Sequence, residues 1–160
     1  MPPRPEGAST VAGPARLGKR TKLLVRRLET GDVAVIDHRD LDRVSGEDLL
    51  AAGVSAVVNC SPFSSGSYPN MGPLLLAQGG IPLLETDFDL FSVLEDGDLV
   101  ELRGDELLRD GRVVATGHAL TAPQLVARTE ALRADIGEAL EAFARNNASF
   151  RVTERATRRR

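Results

Sequence analysis

Three short apolar runs, VAVI at residues 33–36, SAVVN at 55–59 and IPLLE at 81–85, alternate with segments carrying helix start and stop signals. No other feature narrows the fold as much. Runs of four or five residues rich in Val, Ile and Leu, bounded by Gly, Asp or Asn, read as short buried strands. Ser45-Gly-Glu-Asp48 sets a hydroxyl three residues before a carboxylate, close to a capping box, and the helix it opens ends at Gly53. Gly72-Pro73 opens LLLAQ with Pro in the first turn, where its missing N–H costs nothing, and Gly79-Gly80 closes it. The first half therefore reads β-α-β-α-β.

A turn or short helix, DFDLFSVL, leads to Asp96-Gly97, and the pattern then changes. DLVELRG, ELLRDG and RVVATG are three short strand-like runs separated by Gly104-Asp105 and Asp110-Gly111, the latter a favoured two-residue hairpin turn. A mixed β/β/α domain over residues 31–120, with closing hairpins, accommodates both halves.

The flanks differ from this body. Residues 1–15 are rich in Pro, Gly, Ala and Ser and hold too few large apolar groups to offset chain entropy, so they read as disordered. Within residues 16–30, Leu24, Val25 and Leu28 share a helical face flanked by Lys22, Arg26 and Arg27, which predicts a short basic amphipathic helix. Pro123 opens a longer helix to about Asn146, within a C-terminal segment 121–150. Its three-four spacing runs through Leu125, Thr129, Leu132, Ile136, Ala139, Phe143 and Asn146, with Leu140 widening the stripe. Such a seam either docks on the domain or pairs with another helix. Its length favours pairing, through Leu125, Leu132, Ile136, Leu140 and Phe143. Residues 151–160 form a basic tail.

The net charge of −3 hides this division: residues 1–27 carry seven basic side chains against one acidic, and residues 151–160 carry five Arg against Glu154. Basic ends flanking an acidic body suit contact with an anionic membrane surface, here through Arg16, Lys19, Arg20, Lys22, Arg26 and Arg27, or with the acidic body of a second copy. Solvated tails are the plainer reading of either end. Nucleic acid is a poorer fit, because Trp is absent and the single Tyr, Tyr68, lies away from the basic stretch. No run approaches the roughly 20 apolar residues a transmembrane helix needs. The start lacks a signal-peptide core, and the single cysteine, Cys60, fits a reducing cytoplasm.

Two clusters could carry chemistry. The loop after the second run holds Ser61, Ser64, Ser65, Gly66, Ser67, Tyr68 and Asn70, and leads into a helix, a placement that can cradle an anion. It lacks the Lys and Ser/Thr pair of a P-loop, and GxGxxG is absent. After the first run comes DHRDLDR, where Asp37, His38, Arg39, Asp40 and Asp42 could hold a hard cation or set a carboxylate beside an imidazole. Both clusters follow the C-terminal ends of strands and so could face one crevice. The structural alternative is that Ser, Gly and Pro supply turn geometry while Asp and Arg cap the next helix. No catalytic set, cofactor motif or metal-ligand spacing stands out.

"GDVAVI", "GGIP" and "LEDGDLVELRGDELLRDGRVVA" resemble the swivelling β/β/α domain of phosphoenolpyruvate-utilising enzymes. Those enzymes carry a phosphorylated His before the helix leading to Gly-Ile-Pro. The matching stretch here, SYPNMGP, has none, so the resemblance implies the fold without the phosphotransfer. "RTKLLVRRLETGDVAVIDHRDLDRVSGEDLL", "AVVNCSPFSSGSYPNMGPLLLAQGGIPLL" and "ALEAFARNNASF" together resemble the amino-terminal half of the actinobacterial SteA family of cytokinetic ring proteins, over about residues 16–150. Family members usually continue into a domain similar to thiamine pyrophosphokinase and a hydrophobic C-terminal segment, neither of which this sequence contains. The resemblance implies a cytoplasmic, non-catalytic module at the inner membrane face of the division site. It would act with a membrane-protein partner to control daughter-cell separation through a peptidoglycan hydrolase. The competing reading is a nucleotide- or phosphate-binding domain related to thiamine pyrophosphokinase-type phosphotransfer proteins, using Ser61 to Asn70 with Asp37, His38 and Arg39.

Overall fold

The computed structural model describes residues 10–65, 70–131, 134 and 137. Its strands are β1 (Thr10–Leu17), β2 (Val33–Ile36), β3 (Ala56–Asn59), β4 (Leu83–Glu85), β5 (Leu99–Arg103), β6 (Glu106–Arg109), β7 (Arg112–Thr116) and β8 (His118–Leu120). Helices are α1 (Thr21–Leu24), α2 (Arg43–Ala51), α3 (Gly72–Gln78) and α4, residues 122–131. The fold class is mixed α/β, with the β-α-β-α-β order of the first half and the antiparallel runs of the second as the sequence predicts.

All eight strands join one sheet in the order β7-β6-β5-β1-β2-β3-β4-β8. Strands β1 to β4 run parallel, and β5 and β8 pair antiparallel to β1 and β4. The two edges, β7 and β8, are consecutive in the chain and separated only by Gly117. The sheet is therefore folded back on itself into two layers. Alternation along the parallel strands sorts their side chains accordingly. Val33, Val35, Ala56, Val58 and Leu84 bury against Val100, Leu102, Leu107 and Ala115 of the β5–β7 meander. Ala34, Ile36, Val57 and Leu83 bury against Leu49, Leu74 and Leu76 of the helices. The result is three layers, β/β/α.

β1 is the strand through which the sheet passes from one layer to the other. Its first half, Thr10 to Pro14, pairs with β5, and its second, Ala15 to Leu17, pairs with β2. Pro14 sits at the handover, where its missing N–H interrupts neither ladder. The disorder expected for residues 1–15 therefore does not hold for residues 10–15. Few of their side chains are large, but the backbone pairs with β5 and β2, and Ala15 is fully enclosed. Residues 1–9 lie outside the described residues.

The basic helix expected over 16–30 is likewise corrected. Arg16 and Leu17 end β1, and only α1 and a 3-10 turn, Val25–Arg27, are helical. The apolar face still packs: Leu24 is buried, with Val25 and Leu28 against it. Two of the six basic side chains assigned to a membrane surface are held internally, Arg16 by Asp32 at 3.2 Å and Arg27 by Asp96. The expected boundaries at 31 and 120 also cut through the core, since Ala15, Leu24 and Leu125 all belong to it.

Helix starts differ in detail. Asp42, not Ser45, caps α2: its carboxylate accepts from the Ser45 N–H at 3.1 Å and the Ser45 hydroxyl at 2.7 Å. Burial pushes the Asp42 carboxyl up, but these bonds outweigh it and hold the group below its ordinary value. α4 opens on a capping box, with Thr121 N–H donating to Gln124 Oε1 at 3.1 Å and Gln124 N–H to Thr121 Oγ1 at 3.4 Å. Leu125 is buried in the domain's own core and Val126 packs beside it. The self-association proposed for Leu125 therefore does not apply to that residue. Leu132, Ile136, Leu140 and Phe143, and the tail 151–160, lie outside the described residues.

Asp96 closes the turn before β5 onto β1, accepting from the Leu17 N–H at 2.7 Å and from Arg27 at 2.5 Å. Burial pushes its carboxyl up, but the Leu17 and Arg27 donors together hold it below the ordinary value of 3.8. Its ionised form thus stabilises the fold in full above that value, and the contribution disappears as pH falls through the lower folded-state value. Asp96→Asn is expected to lower stability at pH 7 by at most about 1 kcal/mol, because solvent screens so exposed a pair, and to flatten the loss of stability below pH 4. Chemical denaturation at neutral and acid pH measures both. An acid limb identical to that of the wild type refutes the assignment.

Candidate functional site

Because β2 and β3 are parallel neighbours, with Ile36 opposite Asn59, the loops that follow them leave the same edge of the sheet. This is where open α/β sheets place ligands. The two sequence clusters do meet there, and a residue outside both fastens them. Asn59 is fully buried. Its Oδ1 accepts from the N–H groups of His38 at 3.0 Å and Ser61 at 3.1 Å, while its Nδ2 donates to the His38 carbonyl at 2.9 Å.

Further bonds tie one loop to the other. The Ser61 hydroxyl donates to Asp37, and Asp40 accepts from Ser65 twice, from its N–H at 2.6 Å and its hydroxyl at 2.8 Å. Asp40 adopts a left-handed conformation, φ 56°, that Asp tolerates better than most residues. The backbone pairs as well, Asp40 N–H to the Pro62 carbonyl and Leu41 N–H to the Phe63 carbonyl. Phe63 is fully buried, and its N–H donates to Glu85 at 2.7 Å. Asn70 donates to the carbonyls of Leu41 at 2.9 Å and Phe63 at 2.6 Å. Ser64 is half-buried beside them, and Gly66, Ser67 and Tyr68 lie outside the described residues.

His38 is held at both ring nitrogens. Nδ1 lies 2.8 Å from Thr21 Oγ1, and Nε2 lies 3.4 Å from Asp42 Oδ1. Among the described residues no three His, Cys, Asp or Glu side chains are grouped as a metal ion would require. Arg39 reaches outward instead of into the crevice bonds, exposed and with no ion pair or hydrogen bond among the described residues.

Sequence reasoning missed a second cavity. Antiparallel pairing sets β8 His118 opposite Glu85 of β4, which opens a space of about 370 Å³ walled by Cys60, Glu85, Thr86, Asp87, Gly117 and His118. Cys60 and His118 thus line one cavity, and recognising β8 as the antiparallel return onto β4 was the signal that would have predicted it. Burial pushes the Cys60 thiol up, which leaves it protonated at neutral pH and a weak nucleophile. Thr86 is buried and structural, its hydroxyl donating to the Thr116 carbonyl at 2.8 Å.

Chemically, then, the crevice is a clasp: carboxylates and hydroxyls that could have faced a substrate face each other. Among the described residues no helix is long and apolar enough to cross a membrane. No protein-family model matches the chain, and no curated protein matches it significantly.

Proposed function

We propose that this chain is a non-catalytic interaction module, the amino-terminal part of a SteA-like cell-division protein. In this reading it works on the cytoplasmic face of the division site with a membrane-protein partner, and controls daughter-cell separation through a peptidoglycan hydrolase outside. The observation that carries the non-catalytic part is the clasp: Asp37 with Ser61, and Asp40 with Ser65, satisfy each other across the crevice. A site built for turnover presents such groups to a substrate. The cell-division part rests on the resemblance of the chained motifs from Arg16 to Phe150. The finer reading of the fold as a swivelling domain is supported by the β/β/α layering and by Gly79-Gly80-Ile81-Pro82 joining α3 to β4.

The module self-associates through the part of the C-terminal seam beyond Leu125, namely Leu132, Ile136, Leu140 and Phe143. Glutamate at both Leu132 and Ile136 is expected to weaken association roughly a hundredfold or more, since a paired seam would have to bury two charges in place of two apolar groups. Analytical ultracentrifugation reads this as a shift towards monomer. A wild type that is already monomeric, or an oligomer indifferent to both charges, refutes self-association.

A further inference from the structure

We propose that the pocket on the outer side of the clasp is an anion site that takes a phosphoryl group. It holds about 380 Å³, between the β1–α1 turn, which supplies Lys19 and Arg20, the first turn of α1, which supplies Lys22, and the loop after β2, which supplies Arg39. The inference stands apart from the division-site reading, because it rests on charge and geometry alone.

The pairing pattern of the body's cations is the first support. Arg16, Arg27, Arg43, Arg103 and Arg109 each meet a carboxylate. Acidic groups are in surplus over residues 28–150, so a partner is available to most basic side chains. Arg26, Arg112 and Arg128 are unpaired outside the pocket; within it the side chains of Arg20, Lys22 and Arg39 likewise form no ion pair or hydrogen bond among the described residues, and Lys19 lies over the Phe91 ring, 5.4 Å from its centre. These four line one pocket, against a single carboxylate, Asp37, one oxygen of which already accepts from Ser61.

The second support is how the fold brings them together. Arg39 is distant in sequence from the other three, and the bond between the Thr21 hydroxyl and His38 Nδ1 draws the two segments together. Thr21 is buried, so that bond is fixed by the core. Gathering like charges costs free energy unless an anion neutralises them. One guanidinium fork matches a carboxylate, whereas several converging cations match the terminal oxygens of a phosphoryl dianion. The loop serines Ser61, Ser64 and Ser65 are not among the residues lining this pocket.

Two sources share this chemistry, a lipid headgroup and a soluble phosphate, and one experiment separates them. Inorganic pyrophosphate is titrated calorimetrically into the full chain, and vesicles of phosphatidylcholine with and without phosphatidic acid are tested by co-sedimentation. Arg20→Gln, Lys22→Gln and Arg39→Gln are compared with Arg112→Gln, an exposed arginine of β7 outside the pocket. Saturable pyrophosphate binding is expected, weakened about tenfold by each pocket substitution and untouched by Arg112→Gln. Vesicle binding that needs phosphatidic acid, Arg39 and Lys22, and that pyrophosphate displaces, identifies a headgroup site. Pyrophosphate binding without vesicle binding identifies a soluble ligand. The proposal is overturned if neither probe binds saturably, or if Arg112→Gln weakens binding as much as the pocket variants. These side chains are exposed and unpaired, so unchanged thermal midpoints certify that each variant is folded.

Discussion

Asn59→Leu is expected to lower the unfolding free energy by about 3–5 kcal/mol. The side chain is fully enclosed and makes three hydrogen bonds to the loops after β2 and β3. Leucine of similar volume strands two N–H groups and a carbonyl, each costing about 1–3 kcal/mol when left buried and unpaired, less whatever solvent recovers as the loops open. Amide exchange at His38 and Ser61 should accelerate well beyond that at Val35 or Val57. A loss below about 1 kcal/mol, with both amides still protected, would show that other bonds suffice to close the clasp. The closure would then be credited to the Asp37–Ser61 and Asp40–Ser65 pairs and not to Asn59.

The second large effect is at the seam of the sheet. A Cβ on Gly117 would lie 2.0 Å from the Glu85 carbonyl oxygen and 2.9 Å from its carbon, both backbone atoms that cannot swing away. The glycine is therefore required by contact, because it sits where β7 passes into β8 and the two edges of the sheet come together. Its own N–H donates to the Asp105 carbonyl at 2.9 Å, so a shift of this residue also strains the β5–β6 turn. Gly117→Ala is expected to cost about 3 kcal/mol or more, as overpacking against rigid neighbours does. It should also enlarge or distort the cavity lined by Cys60 and His118. Denaturation midpoint and Cys60 labelling rate measure the two consequences separately. Wild-type values for both would mean that β8 can move away from β4 without harm.

Much of the architecture was legible because it is locally encoded. β2, β3 and β4 announce themselves as apolar runs, and Asp110-Gly111 supplies two consecutive positive φ values, 55° and 75°, for a tight hairpin. β1 was illegible for the opposite reason. TVAGPARL contains Gly, Pro and only two large apolar residues, and its strand character comes from partners far along the chain. The periodicity of Leu24, Val25 and Leu28 marked the right buried face but overstated the helix, since one turn and a 3-10 turn suffice to bury it.

The site was half legible. Strand ends predicted that the Asp37–Asp42 and Ser61–Ser65 segments would share an edge, and they do. What those groups bind could not be read from residue type, because the decisive residue, Asn59, looked like the last member of a strand. Lys22 was read as flanking a helical face, and Lys19 and Arg20 as part of a basic stretch suited to an anionic surface. The structure instead sets them beside Arg39, a neighbour no periodicity could supply.

The order in which β1 finds its partners bears on how the chain is made. Thr10 is matched with Arg103 and Ala15 with Val33, so β1, synthesised before both partners, can complete only one of its two ladders until β5 has been made. Contacts so distant in sequence slow folding. A nascent chain stalled before β5 would expose the open side of β1 and one bare apolar face of β2 to β4, a natural target for chaperones during translation.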